Sequence, residues 1–113
     1  MFKLRPMTTE TPIAMDVDAL RRAADAACRL MKVLSNPDRL LLLCQLSQGE
    51  RSVGELEELL DLRQPSLSQQ LAVLRNDGLV QTRRDGKRMF YSIAEPKLLV
   101  LLGTLYQLYC PQP

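Results

Sequence analysis

The region from residue 63 to residue 91 constrains the fold of this chain most, because a helical pattern is followed there by a hairpin pattern. In its first half, Leu67, Leu71 and Leu74 recur at helical spacing and therefore share one face. Pro65 suits the first turn of such a helix, where a missing backbone N–H costs nothing. We predict an amphipathic helix with an apolar inner face and an outer face of serine and glutamine.

The second half of this region has the pattern of a β-hairpin. Residues 79–84 fit one strand, and Asp85-Gly86 is a strong signal for a two-residue turn. The predicted return strand runs from Lys87 to Ile93. Four cations surround the turn, namely Arg83, Arg84, Lys87 and Arg88. Only Asp85 opposes them, so we predict a strongly basic hairpin tip.

The distribution of charge favours an interaction with phosphate. The chain has a formal net charge of +2, but residues 63–91 carry six Lys/Arg and two Asp/Glu, a net charge of +4. Residues 1–62 carry eight Lys/Arg and ten Asp/Glu, a net charge of −2. Cations clustered in this way attract a nucleic-acid backbone and make binding salt-dependent.

Helix and hairpin together predict a DNA-binding surface. Either an amphipathic surface helix or a solvated basic turn would be ordinary alone, but the two in this order are typical of a winged helix. Serine and glutamine both donate and accept hydrogen bonds, which suits contact with base edges. The predicted DNA-binding residues are Gln64, Ser66, Ser68, Gln69, Arg83, Arg84, Lys87 and Arg88.

Three helices are predicted before this region and one after it. Their starts, in order, are Asp16 or Asp18, Asn36-Pro37, Ser52 with Glu55 in a capping box, and Pro96. The predicted fold class is mainly α, with four helices, the small β-hairpin wing and a fifth helix. Residues 16–110 are predicted to form one winged helix-turn-helix domain for DNA binding and dimerisation, and residues 1–15 a flexible arm.

The first and last helices are predicted to form the interface of a homodimer. Leucines cover more than one face of the last helix, and so large an apolar surface does not stay in water. The first helix carries a seam of apolar and small residues that permits close approach. The seam consists of Leu20, Ala24, Ala27, Met31 and Leu34.

Composition limits the class of function. No apolar run approaches the ~18 residues that span a bilayer, and the first residues lack the apolar segment of a signal peptide. We therefore expect a cytoplasmic protein without a membrane partner, in which the three cysteines stay mostly reduced. The chain has no histidine, no glycine-rich phosphate loop and no nucleophile–base pair, which argues against an enzyme and predicts no cofactor.

Four segments resemble the ArsR/SmtB family of bacterial winged-helix repressors. They are LSNPDRLLLLCQL at 34–46, SVGELEELL at 52–60, QPSLSQQLAVLRNDGLV at 64–80 and RRDGKRMFYSI at 83–93. The resemblance runs from about Asp18 to Cys110. It implies a homodimer that represses promoters by binding imperfect inverted repeats in double-stranded operator DNA. It also implies an inducer that binds or modifies the protein and releases the DNA.

The metal-binding residues of this family are absent from the chain. Metal-sensing members carry a Cys-x-Cys pair at the start of the third helix, and here Ser52 and Gly54 take those places. Neither residue can bind a soft metal. Other members bind zinc through histidine and carboxylates on the last helix, and this chain has no histidine. We therefore predict no metal site.

Two cysteines remain as a possible switch, Cys44 in the second helix and Cys110 at the end of the last. This pair resembles the branch of the family that senses redox change or reactive sulfur species. The resemblance implies that a disulfide or polysulfide bridge between the two thiols lowers operator affinity. From the residues alone, Cys28 and Cys44 are both better explained as small buried apolar side chains, and this is our prediction for Cys28.

Two other functions stay open. One is a metal-responsive repressor that uses Cys28, Cys44 and Cys110 in a new arrangement, although the lack of histidine argues against it. The other is a winged-helix protein-interaction module without DNA binding, against which the cations at residues 83–88 argue. Metal titration and a gel shift on the protein's own promoter region distinguish these functions from a thiol-switched repressor.

Overall fold

The computed structural model describes residues 16–110 of the 113-residue chain. In chain order this range contains α1 (Val17–Leu34), α2 (Pro37–Leu46), β1 (Arg51–Ser52), α3 (Val53–Leu60), α4 (Ser66–Asn76), β2 (Val80–Asp85), β3 (Arg88–Ile93) and α5 (Pro96–Tyr109). The predicted class, mainly helical with a small antiparallel hairpin, is confirmed in this coarse form. The arm predicted at residues 1–15 lies outside the described residues.

The sheet has three strands in the described range, so the prediction of a two-stranded hairpin alone is wrong. The sheet is antiparallel with the order β1-β3-β2, and Arg51 and Ser52 of β1 pair with Tyr91 and Phe90. A strand of two residues is too short to show a period-two pattern in the sequence. The sequence assigns Ser52 only to a helix cap, but this residue both ends β1 and caps α3.

The predicted caps of α2 and α3 are confirmed. The Asn36 side chain accepts a hydrogen bond from the Arg39 backbone N–H at 3.1 Å. In the capping box, the Glu55 carboxylate accepts from Ser52 N at 2.8 Å, and Ser52 Oγ accepts from Glu55 N at 3.2 Å. These bonds satisfy N–H groups that the first turn of a helix leaves without a partner.

The core is built almost entirely from leucine. Its buried apolar side chains are Val33, Leu42, Leu43, Leu46, Leu56, Leu67, Leu71, Leu74, Leu79, Val80, Leu98 and Leu102. The leucine stripe predicted on α4 is therefore confirmed. Burial of a leucine stabilises a fold by about 1.5–3 kcal/mol. Because this stripe holds α4 against the core, the serine and glutamine side of the helix faces outward.

Two helices have exposed apolar side chains in the part of the chain that the structure describes. The boundary between two compact units falls within α1, after Met31. In the first unit, Val17 and Met31 are exposed. In the second unit, α5 buries Leu98 but leaves Val100 and Tyr109 exposed. Exposed apolar surface of this kind is typical of protein–protein contacts.

Candidate nucleic-acid interface

α3 and α4 form the predicted pair of consecutive helices, joined by residues 61–65. Asp61 follows α3 with a φ of 53°, in the left-handed region that suits a sharp change of chain direction. α4 begins at Ser66, so Pro65 precedes the helix and does not occupy its first turn as predicted. This shift of one residue leaves the leucine stripe unchanged.

Gln64 stabilises the start of α4. Its Oε1 accepts hydrogen bonds from the Ser68 backbone N–H at 3.1 Å and from Ser68 Oγ at 2.5 Å. The first bond satisfies an N–H group that the helix itself leaves open. The Ser68 hydroxyl donates its proton to Gln64 but keeps its acceptor capacity. Two predicted DNA contacts thus hold each other in place.

The serine and glutamine side chains of α4 are exposed, with the exception of Gln70. Ser66, Ser68 and Gln69 are exposed, as the helical period predicts. Gln70 is half-buried, and its Oε1 accepts a hydrogen bond from Arg39 Nη1 of α2 at 3.1 Å. α4 therefore presents three short polar side chains outward and one glutamine toward α2. Their contact with bases stays a prediction.

The turn of the hairpin contains Gly86 and Lys87, because Asp85 and Arg88 form the last pair of the ladder. The prediction that Asp85-Gly86 supplies the two turn residues is therefore wrong by one position. Gly86 has a φ of 64°, and a glycine of positive φ in the first position is what a type II′ turn requires. Lys87 consequently lies at the outermost point of the hairpin.

The four hairpin cations do not form one cluster, because the pairing register divides them between two faces. Arg84 pairs with Met89, whereas Arg83 pairs with Phe90. Successive side chains of a strand point to opposite faces of the sheet. Arg83 and Arg88 therefore share the face of Phe90, and Arg84 lies on the other face.

On the Phe90 face, both arginines are held by neighbouring residues. Arg83 Nη2 and Nε donate to the two carboxylate oxygens of Glu50 at 2.8 and 3.0 Å, and its guanidinium lies 4.7 Å from the Phe90 ring centre. Arg88 lies 5.1 Å from the same ring centre and donates to Ser52 Oγ at 3.1 Å. The hydrogen bond from Arg83 lowers the pKa of Glu50, and Glu50 raises the pKa of Arg83. The contacts on this face therefore anchor the hairpin to Ser52 of β1 and to Glu50, the residue just before β1.

Arg84 and Lys87 differ from these two arginines. Both are exposed, and neither side chain forms a hydrogen bond or ion pair with another residue of the described range 16–110. Their charges are therefore not offset locally and are available to a polyanion. Contact of any hairpin residue with DNA stays a prediction, but the structure distinguishes two uncommitted cations from two that are already bonded.

The thiols of Cys44 and Cys110 interact electrostatically. Cys44 is half-buried in α2, and Cys110 is the exposed residue that follows α5. Burial raises the pKa of the Cys44 thiol, and the negative charge of a Cys110 thiolate raises it further. Because the interaction of two charges decays with distance, this effect indicates that the two sulfurs lie near each other.

Cys28 is exposed on α1, so the prediction of a small buried side chain is wrong for the single chain. The alanine-rich seam of α1 shows which residues share a helix face. It does not show that another element of the same chain covers that face.

Residues 16–110 contain neither a metal-binding cluster nor a membrane-spanning helix. No group of three or more His, Cys, Asp or Glu residues in this range is arranged to hold a metal ion. No helix of the same range is both long and apolar enough to cross a bilayer.

The sequence gives little sign of the contacts made by Glu50, Arg39 and Gln70. Glu50 is 33 positions from its partner Arg83, and Arg39 is 31 positions from Gln70. Pairs so far apart in the chain are set by tertiary structure. One hint is available, since a charged residue at the start of the leucine-rich α2 requires polar partners when it is partly buried.

The comparisons with known proteins agree with this geometry. The family described as "Bacterial regulatory protein, arsR family" matches residues 36–82, from the start of α2 into β2. The chain is 49% identical to the Biofilm growth-associated repressor of Agrobacterium fabrum over 111 residues, which is 92% of this chain and 95% of that protein.

Two solved structures have the same fold. The transcriptional repressor BigR from Xylella fastidiosa superposes with a TM-score of 0.80 at 46% identity, covering 87% of this chain and 100% of that one. The second is described as the homodimeric winged helix-turn-helix DNA-binding domain of a possible ArsR-family regulator from Mycobacterium bovis. It has a TM-score of 0.68 at 31% identity and covers 85% of this chain and 89% of that fragment.

Proposed function

The chain belongs to the ArsR family of bacterial DNA-binding transcriptional regulators, and we propose that it is a repressor whose operator affinity falls when Cys44 and Cys110 are bridged. Similarity to two proteins named as repressors supports the direction of regulation. The reduced protein binds an imperfect inverted repeat in the bacterial cytoplasm. A thiol oxidant or a reactive sulfur species acts as the inducer.

The observation that carries this proposal is the placement of Cys44 on α2 and of Cys110 after α5, together with the effect of Cys110 on the pKa of Cys44. A bridge requires two thiols within reach of each other, and these lie on α2 and at the end of α5. One of them is exposed to reagents and the other is half-buried. This is the arrangement of an accessible thiol poised next to a resolving one.

The DNA-binding part of the proposal rests on α4 and the hairpin. Ser66, Ser68 and Gln69 form the exposed polar side of the second helix of the helix-turn-helix pair, which is the helix that enters the major groove in such motifs. Arg84 and Lys87 supply charge for phosphate contacts. In this division of roles, α4 provides sequence preference and the hairpin provides affinity.

A homodimer accounts for the apolar surface of α5. Val100, Leu108 and Tyr109 are exposed in the single chain, and a second copy of the chain would cover them. A relative described as homodimeric supports this assembly. A two-fold dimer presents its two reading helices about 34–36 Å apart, one turn of DNA, which matches an inverted repeat.

The chemical step joins the two sulfurs directly or through added sulfur atoms. In the direct case, a two-electron oxidant such as a peroxide converts the Cys110 thiolate to a sulfenic acid. The Cys44 thiolate then attacks this sulfur and displaces hydroxide, which takes up a proton to leave as water. Cys110 reacts first because it is exposed, whereas burial disfavours the thiolate of Cys44.

Release of DNA follows from the new link between α2 and the end of α5. α2 contributes Leu42, Leu43 and Leu46 to the core on which α4 rests, and α5 leads to the proposed dimer interface. A bridge therefore changes the position of α4 in each subunit relative to the α4 of the partner subunit. Regulatory couplings are typically about 1–3 kcal/mol, which corresponds to a 5–150-fold change in affinity.

The test uses an operator duplex, selected by the reduced wild-type protein from a random-sequence DNA library. Fluorescence anisotropy measures affinity for this duplex before and after treatment with hydrogen peroxide or an inorganic polysulfide. Intact-mass analysis and peptide mapping identify the bridge in the same samples. We expect an affinity loss of at least about fivefold that parallels the bridged fraction and is reversed by dithiothreitol. Release without a Cys44–Cys110 bridge, or a bridge without release, would contradict the proposal.

A further inference from the structure

Arg39 connects two helices through three of its side-chain nitrogens. It lies in the first turn of α2 and is half-buried. Its Nε donates to the Val33 carbonyl at 2.8 Å and its Nη2 to the Lys32 carbonyl at 3.5 Å, both in the last turn of α1. Its Nη1 donates to Gln70 Oε1 of α4 at 3.1 Å. A planar guanidinium can donate hydrogen bonds to α1 and to α4 at the same time. A lysine ammonium on a flexible stem cannot do so with the same geometry.

The contact with the end of α1 suits the charge of Arg39. The last carbonyl groups of a helix lack partners within the helix and carry partial negative charge. Arg39 supplies two donors and a positive charge at this point. The guanidinium is therefore fixed on one side by the last turn of α1, and its remaining donor reaches α4 from a defined position.

Gln70 is the polar exception on the inner side of α4. The other inward residues of this helix are Leu67, Leu71 and Leu74, all buried. Contacts between leucines are non-directional, so they hold a helix against the core without defining its rotation closely. A hydrogen bond is directional and weakens steeply when the helix turns away from its partner. The Arg39–Gln70 bond therefore defines the rotation of α4 about its own axis.

That rotation decides where the outward residues point. Gln69 directly precedes Gln70 and is exposed, and Ser66 and Ser68 lie on the same outer side. A rotation of α4 that the leucines tolerate would move these side chains relative to base edges. Hydrogen bonds to bases tolerate little misalignment, whereas attraction of Arg84 and Lys87 to phosphate is less sensitive to angle.

We infer that Arg39 and Gln70 are positioning residues for sequence recognition, and that their bond fixes the rotation of α4 at which Ser66, Ser68 and Gln69 meet the bases. Neither residue needs to touch DNA in this role. Loss of the bond lowers the preference for the operator over other DNA and leaves sequence-independent affinity almost unchanged. The inference requires only that α4 reads DNA, so it stands apart from the thiol switch.

The experiment compares reduced wild-type protein with Gln70→Leu, Arg39→Lys and the double variant. Anisotropy gives the affinity of each protein for the operator duplex and for a shuffled duplex of equal composition. We expect each single variant to lower the operator-to-shuffled ratio about tenfold, the usual effect of losing a hydrogen bond to a charged group. The double variant should lose no more than the larger single loss, because both changes remove one interaction.

Two further variants separate positioning from a general structural role. Gln70→Glu keeps an acceptor for Arg39 and should restore the operator-to-shuffled ratio, even though its charge weakens binding to both duplexes. Gln45→Leu is the matched control, since Gln45 is a half-buried glutamine of α2 whose side chain bonds to no residue of the described range. It should keep the wild-type ratio.

The inference is overturned if Gln70→Leu keeps the wild-type ratio, if Gln45→Leu loses it equally, or if the two single losses add in full. It is also overturned if Gln70→Glu does not restore the ratio. If Arg39→Lys does not fold, Gln70→Leu and Gln70→Glu still decide the question, with thermal unfolding confirming that both are folded.

Discussion

The proposed DNA-binding region and the thiol region of this protein are built differently. The proposed DNA-binding region consists of α4 and the hairpin, and short contacts fix its parts: Gln64 with Ser68 at 2.5 Å and Arg83 with Glu50 at 2.8 Å. The thiol region consists of Cys44 and Cys110. Cys44 is half-buried within α2, and Cys110 is the exposed residue that follows α5.

This difference matches what each region is proposed to do. A surface that recognises base edges works best when its groups are already in place, since ordering them on binding would cost affinity. A chemical switch needs two arrangements, one for the reduced and one for the bridged state. Substitutions in a region that is fixed in place and in a region that changes state should therefore have different effects.

The largest effect is expected on α5, the helix that Cys110 follows. Leu102 is 2% exposed and Val100 is 72% exposed on the same helix. Leu102→Asp buries a charge in the core and should lower the free energy of unfolding by about 3–5 kcal/mol. Val100→Glu should stay folded but become monomeric, because it changes only the proposed dimer surface. Denaturant unfolding and analytical ultracentrifugation check both outcomes, and a stable dimer of Val100→Glu would remove this residue from the interface.

The next effect concerns base reading by α4. Gln69→Ala should weaken binding to the operator duplex by about 1–3 kcal/mol and binding to shuffled DNA much less. Gln48→Ala, at an exposed glutamine beyond the end of α2, is the control and should match wild type. Equal losses on both duplexes would show that Gln69 contributes general affinity and does not read sequence.

The hairpin offers a comparison between two arginines of equal charge. Arg84→Ala or Lys87→Ala should reduce the salt dependence of DNA binding by about one phosphate contact. Arg83→Ala should change it less, because Glu50 already neutralises Arg83. Anisotropy over a salt series measures all three slopes. Identical slopes for the Arg83 and Arg84 variants would mean that the Glu50 ion pair opens on DNA.

A smaller effect is expected in the pH dependence of bridging. The pKa of Cys44 is raised by burial and by Cys110, so its thiolate becomes abundant only at higher pH than for a free cysteine. The rate of bridge formation should therefore rise by up to about tenfold per pH unit and show no plateau up to about pH 8.5, the usual pKa of a free cysteine. Quenched mass spectrometry measures this rate, and Cys44→Ser reports the first step on Cys110 alone. A plateau near neutral pH would contradict the expected environment of Cys44.

Local features of the fold could be predicted from the sequence, because their signals lie within one turn of helix or one strand. The Asn36 and Ser52 caps and the leucine stripe of α4 are examples, since each is encoded by residues three or four positions apart. The short strand β1 could not be predicted, because its two residues acquire their structure only by pairing with β3.

The candidate site was predictable in its residue types and less so in its arrangement. The sequence identifies the hairpin cations, but it does not show how they divide between the two faces of the sheet. This division depends on the pairing register, and a one-residue shift of the turn would move each side chain to the opposite face. The link from Arg39 to Gln70 and the nearness of Cys44 to Cys110 depend on packing between distant segments. The pairing of the two cysteines was predicted from the family resemblance and could not be predicted from their spacing in the chain.

The most direct test of the thiol switch treats wild type, Cys44→Ser, Cys110→Ser and Cys28→Ser with the same oxidant and measures operator affinity before and after. All four should fold and bind the operator duplex when reduced. Wild type and Cys28→Ser should lose affinity at least about fivefold, and dithiothreitol should restore it. Cys44→Ser and Cys110→Ser should keep their affinity, because a single thiol cannot form the bridge. Release by Cys110→Ser to the same extent as wild type would contradict the two-cysteine switch.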